Sequence, residues 1–151
     1  MDLSLPTAIT FQELTVLFSY NLYVYNEIDL SYSNLNDKKL AFLTNALENN
    51  HCCRSRNILE DVDLSDNDIG ALGIANFLEV LYSPYIRSLY LGYNDIWQKG
   101  EKYIANILNK SKTKLETLSL CSTNMDDGCE LANALCTNET LTALNLHSNS
   151  I

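Results

Sequence analysis

The sequence predicts an α/β fold of stacked strand–helix units, and three observations predict it. A short apolar phrase recurs along the chain, its apolar residues alternate as on a strand, and the segments between phrases carry apolar stripes at helical spacing. One strand with one helix cannot bury its apolar face alone, so the units must stack. With 151 residues, 46% of them hydrophobic, the chain is long enough for one domain with a buried core.

The recurring phrase has five apolar positions and one position that is usually asparagine, at the same spacing in each copy. Its clear copies are Leu59-x-x-Val62-x-Leu64-x-x-Asn67-x-Ile69, Ile86-x-x-Leu89-x-Leu91-x-x-Asn94-x-Ile96, Leu115-x-x-Leu118-x-Leu120-x-x-Thr123-x-Met125 and Leu141-x-x-Leu144-x-Leu146-x-x-Asn149-x-Ile151. A weaker copy begins at Tyr25 and has Ile28, Leu30, Ser33 and Leu35 in the same places. The copies begin near residues 25, 59, 86, 115 and 141, in steps of 34, 27, 29 and 26 residues. A random sequence would not keep this register.

The spacing within a repeat predicts its local structure. Apolar residues two apart, such as Val62 and Leu64, point to one face of a short strand, and the residue between them points to the other. The asparagine that follows can satisfy backbone groups where the chain turns. The helical stripes are Leu40, Leu43, Ala46 and Leu47, then Ile74, Phe77, Leu78 and Leu81, then Ile104, Ile107 and Leu108, and finally Leu131, Ala132 and Leu135.

These phrases resemble the leucine-rich repeat family, and specifically its ribonuclease-inhibitor-like class with a full helix in each repeat. Gly73 and Gly100 stand four residues after the last apolar residue of a phrase, where a glycine often opens the helix in that class. The resemblance covers residues 25–151 and implies a curved solenoid of about five repeats, with a parallel sheet on the concave face and helices on the convex face. The irregular repeat lengths and many asparagines also resemble leucine-rich repeat effectors of bacterial pathogens.

The two ends of the chain differ from the repeats. Residues 1–24 are expected to form an N-terminal cap with a helix around 10–20, where apolar residues stand at helical spacing: Phe11, Leu14, Leu17 and Phe18. Thr10 and Glu13 there resemble a capping box. The last repeat stops incomplete at Ile151 and leaves an uncovered sheet edge. We therefore expect that the natural protein continues, or that a partner covers this end.

The residues between the core leucines are the candidate binding residues. Acids fall on the first two repeat strands, and tyrosines fall in the first three repeats. The predicted partner-binding residues are Glu27, Asp29, Tyr32, Asp61, Asp63, Asp66, Tyr90, Tyr93, Trp97, Ser119, Asn145 and His147. Tyrosines are common interface anchors, and carboxylates steer a basic partner. The alternative is that an acidic solenoid simply places acids on a solvated face and that Trp97 packs against the neighbouring repeat.

Three side-chain groups invite a chemical interpretation. Cys121 and His147 occupy equivalent positions on adjacent predicted strands, about 5 Å apart. A histidine next to a thiol can activate a cysteine nucleophile, but no acid follows that could orient the histidine. His51-Cys52-Cys53 has no second Cys/His pair at zinc spacing. The acidic run 61–68 is not a calcium loop, because Leu72 stands where the bidentate carboxylate is needed. The sequence therefore predicts a non-enzymatic protein with no cofactor and no metal.

Composition narrows the partner and the compartment. The formal charge is −9, from 19 acids and 10 bases, which argues against a nucleic-acid partner. No apolar run is long enough to span a membrane, and residues 1–6 lack the features of a secretory signal. Five cysteines, an odd number without framework spacing, favour a reducing compartment and hence the cytoplasm.

The predicted function is binding of another protein with a basic or mixed basic and apolar surface, such as an enzyme active site. The acidic, tyrosine-bearing concave face would occlude the functional surface of that partner and thereby inhibit or regulate it. The alternative is a host-targeting or sensing scaffold module of a larger effector or receptor. A remote alternative is a cysteine-dependent enzyme that uses Cys121 and His147.

Overall fold

A computed structural model describes residues 2–4, 26–49, 59–80, 86–110 and 113–151 of the chain. Within these residues there are six short strands and four helices. The strands are β1 (Asp2–Ser4), β2 (Glu27–Asp29), β3 (Asp61–Asp63), β4 (Ser88–Tyr90), β5 (Thr117–Ser119) and β6 (Ala143–Asn145). The helices are α1 (Asp37–Asn49), α2 (Ala71–Val80), α3 (Trp97–Leu108) and α4 (Cys129–Leu135).

The six strands form one parallel sheet whose spatial order is their order in the chain. The central residues of the strands are paired in register across the sheet: Leu3, Ile28, Val62, Leu89, Leu118 and Leu144. Each helix packs against the next one along the chain. The result is an α/β fold with a parallel sheet, compatible with the solenoid that the sequence predicts. No helix in the described ranges is long and apolar enough to cross a membrane.

The core contains the predicted strand and helix positions. Val62, Leu64 and Ile69 of one repeat are almost fully buried, and so are the equivalent residues of the repeats that begin near 25, 86 and 115. In the last repeat Leu144 and Leu146 are only partly buried. The stripes of α1, α2 and α3 face this core, although Leu81 and the side chains of Ala46 and Leu47 lie outside the described part.

The stripe predicted for α4 is wrong at one position. Ala132 is exposed, whereas Ala134 is completely buried next to Leu131. Residues one apart diverge by about 100° on a helix, while residues three and four apart share a face. The buried face of α4 therefore runs through Leu131, Ala134 and the partly buried Leu135.

Strand β1 lies in the segment for which only a helical cap is expected. It pairs with β2 in parallel, with Leu3 opposite Ile28, and adds one strand before the first repeat. The alternation Asp2-Leu3-Ser4-Leu5 is a strand signal, but it lacks the asparagine that completes the repeated phrase. A segment this short becomes a strand because a paired neighbour supplies its hydrogen bonds. The predicted helix around 10–20 lies outside the described residues.

In three repeats an asparagine joins the turn after the strand to the turn of the preceding repeat. The carboxamide oxygen of Asn94 accepts a hydrogen bond from the Ile69 amide at 3.1 Å. Its nitrogen donates to the carbonyls of Leu64, Leu91 and Gly92. Asn67 and Asn149 make equivalent bonds in their own repeats. We call this series the asparagine ladder; it satisfies backbone groups that cannot reach water.

Thr123 interrupts the ladder. Its hydroxyl donates to the carbonyl of Leu120 in its own turn. Because a hydroxyl has one donor hydrogen and a carboxamide has two, Thr123 cannot donate fully to both turns as Asn94 does. In the preceding turn the Ile96 amide donates to the carbonyl of Asn94, and the Trp97 amide donates to the carbonyl of Thr123. Trp97 there adopts a left-handed backbone with φ of 55°. The local turn thus differs where the asparagine is missing.

Carboxylates in two helices cap the helix of the following repeat. Asp37 at the start of α1 accepts a hydrogen bond from the Gly70 amide just before α2, at 2.7 Å. A Cβ at Gly73 would overlap this carboxyl group, which explains the glycine that marks the helix start. Glu101 in α3 is completely buried and accepts from the Leu131 amide in α4 at 3.0 Å. Such caps stabilise otherwise unpaired amides at helix N-termini.

The ladder predicts a large stability effect at Asn94. We expect Asn94→Ala to lower the free energy of unfolding by about 2–4 kcal/mol, because several buried backbone groups lose their partners. Urea unfolding followed by circular dichroism measures this change. Asn76→Ala, at an exposed position of α2, is the matched control and should change stability by less than about 0.5 kcal/mol. Equal effects of the two substitutions would contradict a structural role for the ladder.

Candidate protein-binding surface

The side of the sheet opposite the core presents four rows of side chains, which we call the open face. The two strand rows are Glu27, Asp61, Ser88, Thr117 and Ala143, and Asp29, Asp63, Tyr90, Ser119 and Asn145. The next residue on the same side in each repeat forms the exit row of Ser31, Ser65, Gly92, Cys121 and His147. The residues that follow form the turn row of Tyr32, Asp66, Tyr93, Ser122 and Ser148. Alternation along the strands places the first three rows opposite the buried leucines. The turn row follows them directly, with a left-handed backbone.

The turn row has the same unusual backbone in all five repeats. Its residues have φ between 52° and 58°, although none is a glycine. The amides of Tyr32, Asp66 and Tyr93 each donate to a carbonyl of the next turn, at 3.2, 2.9 and 2.8 Å. This left-handed conformation is costly for tyrosine and persists only where the surroundings impose it. Consecutive turns therefore hold these side chains as neighbours at strand spacing.

Two candidate carboxylates also have a structural task. The Oδ1 of Asp29 accepts hydrogen bonds from the amide and hydroxyl of Ser31, at 2.9 and 2.6 Å. Asp63 accepts from the Ser65 amide at 2.8 Å. Asn145 accepts from the His147 amide in the equivalent place, so the turn needs an acceptor and no charge. These are Asx turns. The repeated sequence of Asp or Asn, leucine and one further residue is the pattern from which they could have been predicted.

The charge on the open face is concentrated in two repeats. In the four rows, which begin at β2, the five carboxylates all belong to β2, β3 and the turn after β3: Glu27, Asp29, Asp61, Asp63 and Asp66. No lysine or arginine occupies any of the four rows, all of which the structure describes. From β4 onward the face carries tyrosine and then small polar side chains. The face is thus strongly negative at one end and neutral at the other.

Tyr32 and Asp66 are neighbours in the turn row, close enough for their side chains to interact. The Asp66 charge is the main cause that raises the pKa of Tyr32 above its ordinary value of 10.0, and the hydrogen bond between the two side chains adds to it. Partial desolvation and the neighbouring Tyr93 and Asp63 act in the same direction. The phenol therefore remains neutral and donates to the carboxylate. These residues come from turns 34 positions apart in the sequence.

The remaining candidates differ in exposure. Tyr32 and Tyr93 are 63% and 56% exposed, whereas Tyr90 is half-buried in its strand row. Trp97 at the start of α3 is 56% exposed, so more than half of its side chain is open to a partner. Asn145 and His147 are exposed near the last strand, and Ser119 is half-buried. The structure brings the acidic and tyrosine candidates together, and it leaves His147 and Asn145 at the far edge.

Cys121 and His147 do not form a nucleophile–base pair in this geometry. The Sγ of Cys121 accepts a hydrogen bond from the Ser119 hydroxyl at 3.7 Å and leans over Gly92 towards β4, where a Cβ would overlap it. His147 lies beyond β6, on the other side, with its Nδ1 2.7 Å from the Ser148 hydroxyl. A general base must be within hydrogen-bond reach of the thiol that it activates.

Cys129 stands at the start of α4, within reach of Asp127. A hydrogen bond to Asp127, followed by the charge of that residue, raises the pKa of the exposed Cys129 thiol. A raised pKa keeps the thiol protonated and weakly reactive. Within the ranges that the structure describes, no group of three or more His, Cys, Asp or Glu side chains is arranged to hold a metal ion. The run His51-Cys52-Cys53 lies outside those ranges.

The contact between Tyr32 and Asp66 predicts a pH effect. Because the pKa of Tyr32 is raised in the folded state, the contact stabilises the fold below the unfolded pKa of about 10 and is lost as the pH rises through the raised value. We expect Asp66→Asn to lower the pKa of Tyr32 towards about 10. Phenolate absorbance, assigned by subtraction of a Tyr32→Phe titration, measures it. An unchanged pKa in Asp66→Asn, or an equal drop in the control Asp68→Asn, would contradict the contact.

A human protein shares distant sequence similarity with the chain. No protein-family model matches the chain. The chain is 29% identical over 127 residues to the human NACHT, LRR and PYD domains-containing protein 14, and the match covers 83% of this chain. The chain spans only 11% of the length of that protein.

Among solved structures, the chain is similar to leiomodin-1 actin-binding site 2. The TM-score is 0.74 at 22% sequence identity, over 91% of this chain and 79% of the other. At that identity the likeness shows a shared fold. Together with the distant relative, it supports repeats of the leucine-rich type on an α/β fold with a parallel sheet.

Proposed function

We propose that the chain is a leucine-rich repeat solenoid of about five repeats, of the ribonuclease-inhibitor-like class, that binds another protein through its open face. The observation that carries this proposal is the composition of that face. It combines two exposed tyrosines with five carboxylates and has no basic side chain in its rows. The likeness to an actin-binding site supports a protein partner in general terms.

The proposed mechanism is occlusion of a functional surface of the partner. Hydrogen-bonded turns hold Tyr90 and Tyr93 on a rigid sheet, so these side chains lose little freedom on binding. The carboxylates attract a basic patch and raise the association rate. A partner whose active site carries that patch, or a mixed basic and apolar one, would be inhibited when the face covers it. The protein would then act as an inhibitor or regulator without chemistry of its own.

The area of the face requires contacts beyond the strands. Parallel strands lie about 4.8 Å apart, so the five strands of the open face make a surface about 20 Å wide. A standard interface buries about 800 Å² on each partner. The exposed Trp97, which stands after the turn at the start of α3, is the side chain best placed to extend the contact.

The second candidate is a sensing or targeting module within a larger receptor or effector. It is favoured by the human relative, because this chain matches only 11% of a protein whose name includes NACHT and PYD domains. The same face would bind the sensed protein. In both cases we propose a cytoplasmic location, on the strength of five cysteines that fit a reducing compartment. A delivered bacterial effector would act in the host cytosol.

The tyrosines provide the first test. We expect Tyr90→Ala or Tyr93→Ala to weaken binding of a captured partner by about 1–3 kcal/mol without lowering the melting temperature. The chain is immobilised, proteins are captured from lysates of the source organism and of a host cell, and affinity is measured by calorimetry. Purified actin is a defined additional probe, because the structural neighbour is an actin-binding site.

The matched control is Tyr103→Ala on α3, which removes an exposed tyrosine from the helical side of the fold. It should leave the affinity unchanged. If the Tyr90 and Tyr93 variants lose stability but still bind the partner, these tyrosines stabilise the fold and do not contribute to binding. Suppression of the activity of a captured enzyme would favour the inhibitor, whereas capture without suppression would favour the sensing module.

The carboxylates provide the second test. We expect Asp61→Asn with Asp63→Asn to slow association about threefold to tenfold at low salt and to reduce its salt dependence. Asparagine is chosen because it keeps the acceptor that Ser65 needs at position 63. The control is Glu79→Gln with Glu139→Gln, which makes the same change of net charge away from the face. Equal association rates for the two double variants would locate the interface elsewhere.

A further inference from the structure

We propose that Tyr32, Asp66 and Tyr93 form a subsite for one arginine side chain of the bound protein. We call these three residues the turn site. The inference rests on the proposed function, since it specifies the chemistry by which the open face recognises its partner. It concerns one position of the face rather than its overall charge.

The backbone brings the three residues together in a fixed order. They occupy the same position in three consecutive turns, with φ values of 54°, 53° and 55°. The Tyr32 amide donates to Ser65 in the turn of Asp66, and the Asp66 amide donates to Gly92 in the turn of Tyr93. Asp66 is therefore flanked by one tyrosine on each side at the spacing of neighbouring strands.

Both tyrosines of the turn site are exposed, unlike the aromatic side chain of the core. Phe77 is completely buried, whereas Tyr32 and Tyr93 remain 63% and 56% exposed on the two sides of a half-buried carboxylate. The equivalent positions in the next two repeats carry Ser122 and Ser148, so the arrangement occurs once on the face. Two open rings around one carboxylate make a surface that is apolar at its sides and negative at its centre.

That combination fits a guanidinium group better than other ligands. A guanidinium is planar, donates two parallel hydrogen bonds to a carboxylate and stacks on aromatic rings. A lysine ammonium offers charge but neither the plane nor the paired donors, and it keeps its water more strongly. An acidic side chain would be repelled by the charge of Asp66. A neutral side chain would leave that charge without an ionic partner.

The chain itself supplies no cation from the rows of the open face. None of the rows contains lysine or arginine, and the ammonium of Lys39 in α1 is held by the carbonyl of Asn34 at 2.6 Å. Arg87 pairs with Glu116 before the strands, at the opposite end from the turns. Charge complementarity therefore points to a cation that arrives with the partner.

The test uses the full chain and three short peptides as probes: acetyl-Gly-Arg-Gly-amide, its lysine analogue and its neutral citrulline analogue. Binding is followed by the backbone amide signals of residues 32, 66 and 93 in NMR titrations. We expect the arginine peptide to shift these signals and to bind about tenfold more tightly than the citrulline peptide, with lysine between them.

Variants of adjacent carboxylates make the test specific. Asp66→Asn keeps a side chain that tolerates the left-handed backbone, so the fold is retained while the charge is removed. It should abolish the preference for arginine. Asp68→Asn, which removes an exposed carboxylate two residues further on, should leave the preference intact. Equal binding of the arginine and citrulline peptides, or an unchanged preference in Asp66→Asn, would overturn the proposal.

The outcome can be separated from that of the proposed function. If the peptides show no preference while the Tyr90, Asp61 and Asp63 variants still lose a captured protein, the arginine subsite is wrong and the protein-binding function stands. If the arginine peptide binds at the turn site but those variants keep every captured partner, the cation site stands and the protein-binding function of the face is wrong.

Discussion

The hydrogen bonds of the asparagines that follow β3, β4 and β6 are the interaction on which the rest of the structure depends. The chain must leave each strand in a tight turn whose amides and carbonyls are cut off from water. One carboxamide both donates and accepts, so Asn94 serves its own turn and the preceding one at once. Because the bond spans two repeats, it sets their stacking as well as the shape of the turn. Strand pairing and helix packing then follow at a constant register.

The ladder also determines which side chains are free for function. It holds Tyr32, Asp66 and Tyr93 in a left-handed backbone that these residues would not adopt alone, and it lines them up at strand spacing. Not every polar residue nearby is free, because Asp29 and Asp63 use one oxygen each to close their own turns. The open face thus mixes structural acceptors with groups that have capacity left for a partner.

The helical side has its own connection between repeats. Asp37 and Glu101 each accept a hydrogen bond from the start of the next helix, and Glu101 does so in complete burial, with its second oxygen unpartnered among the described residues. The first two repeats are joined both by the ladder and by Asp37, whereas Glu101 joins the third repeat to the fourth, where Thr123 interrupts the ladder. Variation is left to the open face, where the chemistry changes from acidic to aromatic to small polar along the sheet.

The sequence by itself determined the strand positions and most of the core, because the alternation around Val62 and Leu64 and the stripe through Ile74 and Phe77 are local periodicities. The parallel sheet was implied by the resemblance to leucine-rich repeats. It also indicated which side chains share the open face. Only the tertiary structure decided that Asp2–Ser4 is a strand, that Cys121 leans towards Gly92 and away from His147, and that Tyr32 meets Asp66. Each of these depends on a neighbouring repeat. The physical reason is that periodicity fixes the direction of a side chain within its own element, whereas a contact requires the packed position of another element about 30 residues away.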